Sequence, residues 1–206
     1  MHDFVYPAVT LPESAQLLRQ QVRDFLKREM DAGTFTPRQN SWSDGDANFS
    51  RKCGQAGYIG MVWPKVYGGH ERTALERYVV MEELLAGGAP VGAHWVADRQ
   101  SGNQILRHGS ERARQLILPK IAAGECFFAI GMSEPDSGSD LASLQTRAVR
   151  DGEYYVVNGT KIWTTHAHYA NKMFALVRTQ PQGSGKRQEG ISFLLFDMTT
   201  PGVEPR

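Results

Sequence analysis

Gly131-Met132-Ser133-Glu134-Pro135-Asp136-Ser137-Gly138-Ser139-Asp140 stands where the chain changes character. Upstream of it, apolar residues recur at helical spacing. Downstream, they come in short β-type runs separated by turn residues. The stretch itself is glycine, serine, proline and acid, which predicts an irregular loop leaving a strand over 127–130. Such a loop carries free N–H groups and hydroxyls, suited to phosphates or to the edge of a polar ring. A plain hydrophilic loop between domains has the same composition. The switch of period predicts an α+β chain: an antiparallel helical bundle over 1–125, then a mostly antiparallel, barrel-like β domain over 126–206.

Working upstream, Leu11-Pro12-Glu13 opens a helix, with proline in the first turn and an acid at the positive end. Leu18, Val22, Phe25, Leu26 and Met30 mark its apolar face, and Gly33 stops it. A shorter helix is expected from near Asp46 to Gln55. Residues 58–69 read as a packed connector, because Trp63-Pro64 disfavours helix. Thr73 caps a helix that stops at Gly87-Gly88, Pro90 starts another that runs to His108-Gly109, and Ser110 caps the last, which runs to Gly124. About five helices make a bundle. His94, Trp95 and Asp98, beside Gly92, fit a pocket lining or a packed helix start equally.

Downstream, strands are expected over 144–149, 154–157, 172–177 and 191–196, with Asp151-Gly152 and Asn158-Gly159 as hairpin-type turns. With 127–130 this is a meander of about five strands curling towards a barrel. Residues 180–186 read as a hairpin tip. The chain stops at Arg206 just after a strong strand, which is expected of a truncated protein or of a subunit completed by another chain.

The composition sets limits. The chain has 206 residues, a net charge of +1 and a hydrophobic share of 41%. Neither nucleic acid nor a membrane surface is indicated by that charge. No run approaches the roughly 20 apolar residues of a membrane span. Cys53 and Cys126 are far apart and read as reduced, buried thiols, and no signal peptide is visible at Met1–Pro7; both point to the cytoplasm. A Rossmann fingerprint, a complete P-loop and a Gly-x-Ser-x-Gly elbow are absent. His166 and His168 lack an apparent third ligand, so no metal site is expected.

Asn158-Gly159-Thr160-Lys161-Ile162-Trp163-Thr164-Thr165-His166-Ala167 is the second informative stretch. By alternation alone it is an ordinary hairpin, with Trp163 a core tryptophan. Together with the serine-rich loop, however, it resembles the acyl-CoA dehydrogenase family. Gly131 to Glu134 and Gly138-Ser139-Asp140 look like that family's signature loop. Asn158-Gly159-x-Lys161-x-Trp163-x-Thr165 looks like its second flavin-contacting segment. The resemblance covers essentially the whole chain and includes the order of helical domain, loop and β domain.

The resemblance implies FAD as cofactor. Ile130, Met132, Ser133, Gly138 and Ser139 would border it, and Ser139 would also touch the CoA side of the substrate. Trp163 would cover the isoalloxazine, with Thr164 beside it and Thr165 near N5 and O4. The implied reaction is α,β-desaturation of an acyl-CoA thioester, as in fatty acid β-oxidation, with electrons passed to an electron-transfer flavoprotein. Ile130 departs from a position that is often aromatic, and Ser133 replaces the commoner threonine. The catalytic base is expected beyond residue 206, and the complete protein is expected to be a homo-oligomer, dimer or tetramer, or a hetero-oligomer. An acyl-CoA oxidase of the same superfamily and a non-catalytic flavin-binding subunit are the alternatives.

Overall fold

The computed structural model describes residues 10–181, 183 and 185–206. The stretch Met1–Pro7 and two residues of the expected hairpin tip, 182 and 184, lie outside it. Helix α1, Glu13–Asp31, buries Leu18, Val22, Phe25 and Leu26, the face its spacing predicts. It packs against α3, Ala74–Ala86. Arg19 and Arg23 of α1 reach the buried Glu83 of α3 at 2.9 and 2.7 Å. Thr73 and Glu76 close α3 with a reciprocal capping box. Helix α2, Ala47–Gln55, starts where Asp46 accepts from the Phe49 N–H at 2.7 Å. Phe25, Phe35, Phe49 and Tyr58 meet in an aromatic cluster at the centre of the helical half.

The helix expected from Pro90 to His108 is interrupted. It runs as α4, Gly92–Val96, a π-helical turn over Ala97–Ser101, and α5, Gly102–His108. The wide turn carries buried Asp98, whose carboxylate accepts from the Gly60 N–H at 2.8 Å and from Arg77 at 2.9 Å. These tertiary partners outweigh the regular α-helical ladder. One turn earlier, buried His94 shares a hydrogen bond with the Ser50 hydroxyl at 2.8 Å, and burial lowers its pKa to about 4. Both residues are therefore part of the packed helical core. The indole of Trp63, 1% exposed, lies against Gly102, where a Cβ would come 2.3 Å from its ring. Helix α6, Glu111–Ala122, is capped by Ser110 as expected.

The β half holds β1 (Phe128–Gly131), β2 (Arg147–Asp151), β3 (Tyr154–Asn158), β4 (Lys172–Arg178) and β5 (Ile191–Asp197). Asp151-Gly152 turns β2 into antiparallel β3, and β5 pairs antiparallel with β4, both as expected. The expected simple meander is corrected at β1. That strand lies parallel to β4, with Ile130 opposite Phe174, and β2 touches the far end of β4 in parallel through Arg147 and Arg178. The sheet is therefore mixed, and it is not closed into a barrel among the described residues. Asn158-Gly159 is a second correction. Rather than turning a hairpin, Gly159 crosses Thr146 so closely that a Cβ would fall 2.7 Å from its Cα. That crossing carries the chain from the β2–β3 hairpin back to the signature loop.

Phe128 and Phe174 belong to the same apolar cluster as the helices, so one core runs through the helical half into the sheet. Cys53 and Cys126 are free and buried. No described helix is long and apolar enough to cross a membrane.

Candidate functional site

The two informative stretches meet. The Ile162 N–H donates to the Ser133 carbonyl at 2.9 Å. The Lys161 ammonium donates to the Met132 carbonyl at 3.1 Å and to Glu134 at 2.7 Å. Residues separated by about thirty positions in the chain are thus bonded in three consecutive places. Lys161 and Glu134 are both nearly buried. Glu134 also accepts from the backbone N–H groups of Gln145 and Thr146, at 2.6 and 3.0 Å. Burial alone would push its carboxyl up, but the bonds from Lys161 and from these backbone donors hold it down at about 2.

The signature loop folds on its own polar groups. Glu134 and Ser137 exchange backbone hydrogen bonds across Pro135-Asp136 at 2.8 and 3.1 Å. The hydroxyls of Ser137 and Ser143 both donate to the Asp140 carbonyl, at 2.9 and 2.8 Å. Arg178 of β4 donates to the carbonyls of Ala142 and Leu144, and Arg187 pairs with the Asp140 carboxylate at 2.7 Å. Those bonds fix the loop's backbone and leave other groups outward. Met132, Gly138 and Ser139 are exposed, and a Cβ at Gly138 would meet nothing within 4 Å.

Trp163 is 87% exposed, and its backbone is left-handed with φ 56°. A bulky residue in that region is strained. The core-tryptophan reading is therefore excluded. Thr165 is exposed beside it, while the Thr164 hydroxyl oxygen is buried with no hydrogen-bond partner among the described residues. His166 is also left-handed, with φ 65°, and its ring lies 4.8 Å from that of Tyr169. No group of metal-ligating side chains forms here among the described residues.

The structure thus brings Met132, Ser133, Trp163, Thr164 and Thr165 into one neighbourhood. Ile130 stands just behind them, half-buried against the helical core. Gly138 and Ser139 lie beyond the Glu134–Ser137 turn, with no hydrogen bond to the Trp163 segment among the described residues. An open cleft of about 720 Å³ occupies the other flank of the loop, lined by Ser137, Thr146, Arg147, Asn158 and Arg187 among others. None of the eight residues singled out from the sequence lines that cleft. Met132, Trp163 and Thr165 are instead exposed around the Ile162–Ser133 contact, an open ledge. Sequence reasoning took Lys161 as part of a motif but did not find its partner. The signal was present in the pattern: a lysine next to apolar Ile162 in the segment after β3, and an acid in the signature loop.

Comparison with known proteins agrees with this order of elements. Residues 12–125 match the family model described as acyl-CoA dehydrogenase, N-terminal domain, and residues 129–206 match acyl-CoA dehydrogenase, middle domain. Acyl-CoA dehydrogenase FadE26 of Mycobacterium tuberculosis is 42% identical over 152 residues, covering 73% of this chain and 38% of that protein. One chain of the ChsE4-ChsE5 complex from Mycobacterium tuberculosis superposes with a TM-score of 0.80 at 35% identity, covering 93% of this chain and 48% of that one. A glutaryl-CoA dehydrogenase from Mycobacterium smegmatis, solved in complex with FADH2, gives a TM-score of 0.74 at 27% identity, covering 93% and 47%. The chain spans half or less of the length of these relatives. Over that span both the pattern of residues and the path of the backbone are shared, and the chain belongs to the acyl-CoA dehydrogenase family.

Proposed function

We propose that the complete protein carries out FAD-dependent α,β-dehydrogenation of an acyl-CoA thioester. One observation carries this reading: an exposed, backbone-strained indole stands next to a glycine- and serine-rich loop that leaves Met132, Gly138 and Ser139 exposed. A soluble fold gains nothing from that arrangement on its own. It suits a flat aromatic cofactor with one polar edge. The FADH2 complex of the glutaryl-CoA dehydrogenase relative supports FAD as that cofactor.

Bound FAD supplies the hydride acceptor. Within this chain, Met132 and Ser133 would hold the pyrimidine edge, Gly138 and Ser139 the phosphates, and Ser139 also the CoA side of the substrate. Ile130 supports the ledge from behind. Trp163 would exclude water from the reacting face, and Thr165 would hydrogen-bond near N5 and O4, with Thr164 beside it. Glu134 is not the base that removes the α proton. Its oxygens are engaged, and a carboxyl held near pH 2 is a weak acceptor. Asp140 is paired with Arg187. The base is the part of the site that the family resemblance puts beyond residue 206.

In this reading the chain divides into a helical domain over 1–125 and a β domain over 126–206. The complete protein is a cytoplasmic oligomer that passes its electrons to an electron-transfer flavoprotein. The ChsE4-ChsE5 complex is a precedent for a hetero-oligomer. The test is to express the complete protein, record its flavin spectrum and add a panel of acyl-CoAs without oxygen. Bleaching by at least one of them is expected. A colourless protein, or a flavin that no acyl-CoA bleaches, would overturn the reading, and fast reoxidation by air would redirect it to an oxidase.

A further inference from the structure

We propose that Lys161 is a positioning residue of the flavin ledge, and that Glu134 serves as its counter-charge, so that the bound flavin faces a wall of no net charge. The proposal rests on the FAD reading above and adds an electrostatic role for two residues that do not face the ledge.

The geometry is specific. Lys161 lies two residues before Trp163 and reaches across to the signature loop, donating to the Met132 carbonyl at 3.1 Å and to Glu134 at 2.7 Å. Its neighbour Ile162 bonds Ser133 at 2.9 Å. The lysine therefore sets the separation between the Met132-Ser133 limb and the Trp163 segment. Glu134 extends the tie to the start of β2 through the N–H groups of Gln145 and Thr146.

Position alone does not require charge. A neutral donor could bond the Met132 carbonyl without the desolvation cost of a buried ion pair. Here both side chains are nearly buried, 9% and 8% exposed, and Glu134 is held by the backbone N–H groups of Gln145 and Thr146 as well as by Lys161. In such surroundings a single unbalanced charge acts over several ångströms with little screening. A charge near the flavin ring changes its reduction equilibrium, because the reduced ring gathers negative charge. Of the loop's other charges, Asp140 pairs with Arg187 and Asp136 is exposed on the cleft of the other flank, while Arg178 of β4 donates to backbone carbonyls. Cancellation at the ledge thus falls to Lys161 and Glu134.

This makes the two single variants opposite in sign. Glu134→Gln leaves a cation and should raise the flavin midpoint potential. Lys161→Met leaves a carboxylate held by two backbone N–H groups and should lower it. A merely structural tie would move both in the same direction or not at all. The experiment is spectroelectrochemical titration of the complete, FAD-loaded protein as wild type, each single variant, and the Glu134→Gln/Lys161→Met double variant. Opposite shifts are expected, each about tenfold in the two-electron equilibrium, or about 30 mV. The double variant should return to the wild-type potential while holding FAD less tightly, since the Met132 carbonyl has lost its donor. Shifts of one sign, or none, would overturn the proposal. If the single variants lose FAD, the double variant decides: recovered flavin supports compensation, and loss equal to the singles overturns it. A wild type without flavin would instead sink the FAD reading itself.

Discussion

The Ile162 N–H meets the Ser133 carbonyl at 2.9 Å, and with that bond two segments far apart in the chain become one ledge. Everything proposed for the chemistry depends on this junction. It puts an outward indole one residue from a loop-to-loop contact that is tied on its inner side by the nearly buried Lys161 and Glu134.

Trp163 is expected to trade fold stability for cofactor contact. Its side chain is 87% exposed and its φ is 56°, so it adds little packing and stores strain. Trp163→Gly should stabilise the flavin-free protein by about 1 kcal/mol, the low end of the cost of such a conformation, while weakening FAD retention. Urea unfolding of the apoprotein and flavin content after gel filtration check the two effects. A destabilised apoprotein with full flavin would contradict both.

The Glu134 carboxyl, held at about 2 against an ordinary 4.5, makes a prediction for acid. A group with a depressed folded pKa contributes stability above its unfolded value and loses it as pH falls from about 4.5 towards 2. The full contribution is on the order of 3 kcal/mol. Urea midpoints between pH 6 and 3 should fall more steeply for the wild type than for the Glu134→Gln/Lys161→Met double variant. Comparing the two removes the common effect of His94, which burial keeps neutral and which also costs stability on acidification. Parallel curves would contradict the assignment.

Gly102 is a packing requirement. A methyl group there would lie 2.3 Å from the ring of Trp63, which is buried and bonded through its indole N–H to Asn103 at 3.0 Å. Gly102→Ala should cost about 1–3 kcal/mol, read as a lower thermal midpoint, with flavin content retained at low temperature. An unchanged midpoint would show that the π-helical turn can yield.

Asp98 should be costlier still. It is 4% exposed and serves both the Gly60 N–H and Arg77. Asp98→Ala leaves the buried Gly60 N–H and the partly exposed Arg77 without their acceptor, a loss of about 3 kcal/mol, the low end for a broken buried pair. A change below about 1 kcal/mol in chemical unfolding would contradict it.

The helices were legible because each is written locally: Thr73 and Glu76 form a capping box, Ser110 and Asp46 cap, and the apolar face of α1 recurs in register. The break at Ala97–Ser101 was not legible, because its cause is Gly60 and Arg77, which are remote in sequence from Asp98. In the sheet, strand positions follow from alternation, but the parallel pairing of β1 with β4 does not. A strand's partner is a long-range choice that period-2 pattern leaves open. Asn158-Gly159 misled for a similar reason: a turn dipeptide and a close crossing over Thr146 both need glycine. At the site, residue types pointed to the ledge through their resemblance to a family. The buried Lys161–Glu134 tie beneath it required coordinates.

The most direct measurement of the central claim is tryptophan emission during FAD titration of the complete apoprotein, as wild type and as Trp163→Phe. Trp63 is buried in the helical core, whereas Trp163 stands on the ledge. The wild-type minus variant difference isolates the ledge indole. That component should be quenched in step with stoichiometric FAD binding. Equal quenching in both proteins, with FAD bound, would place the flavin away from Trp163 and contradict the site.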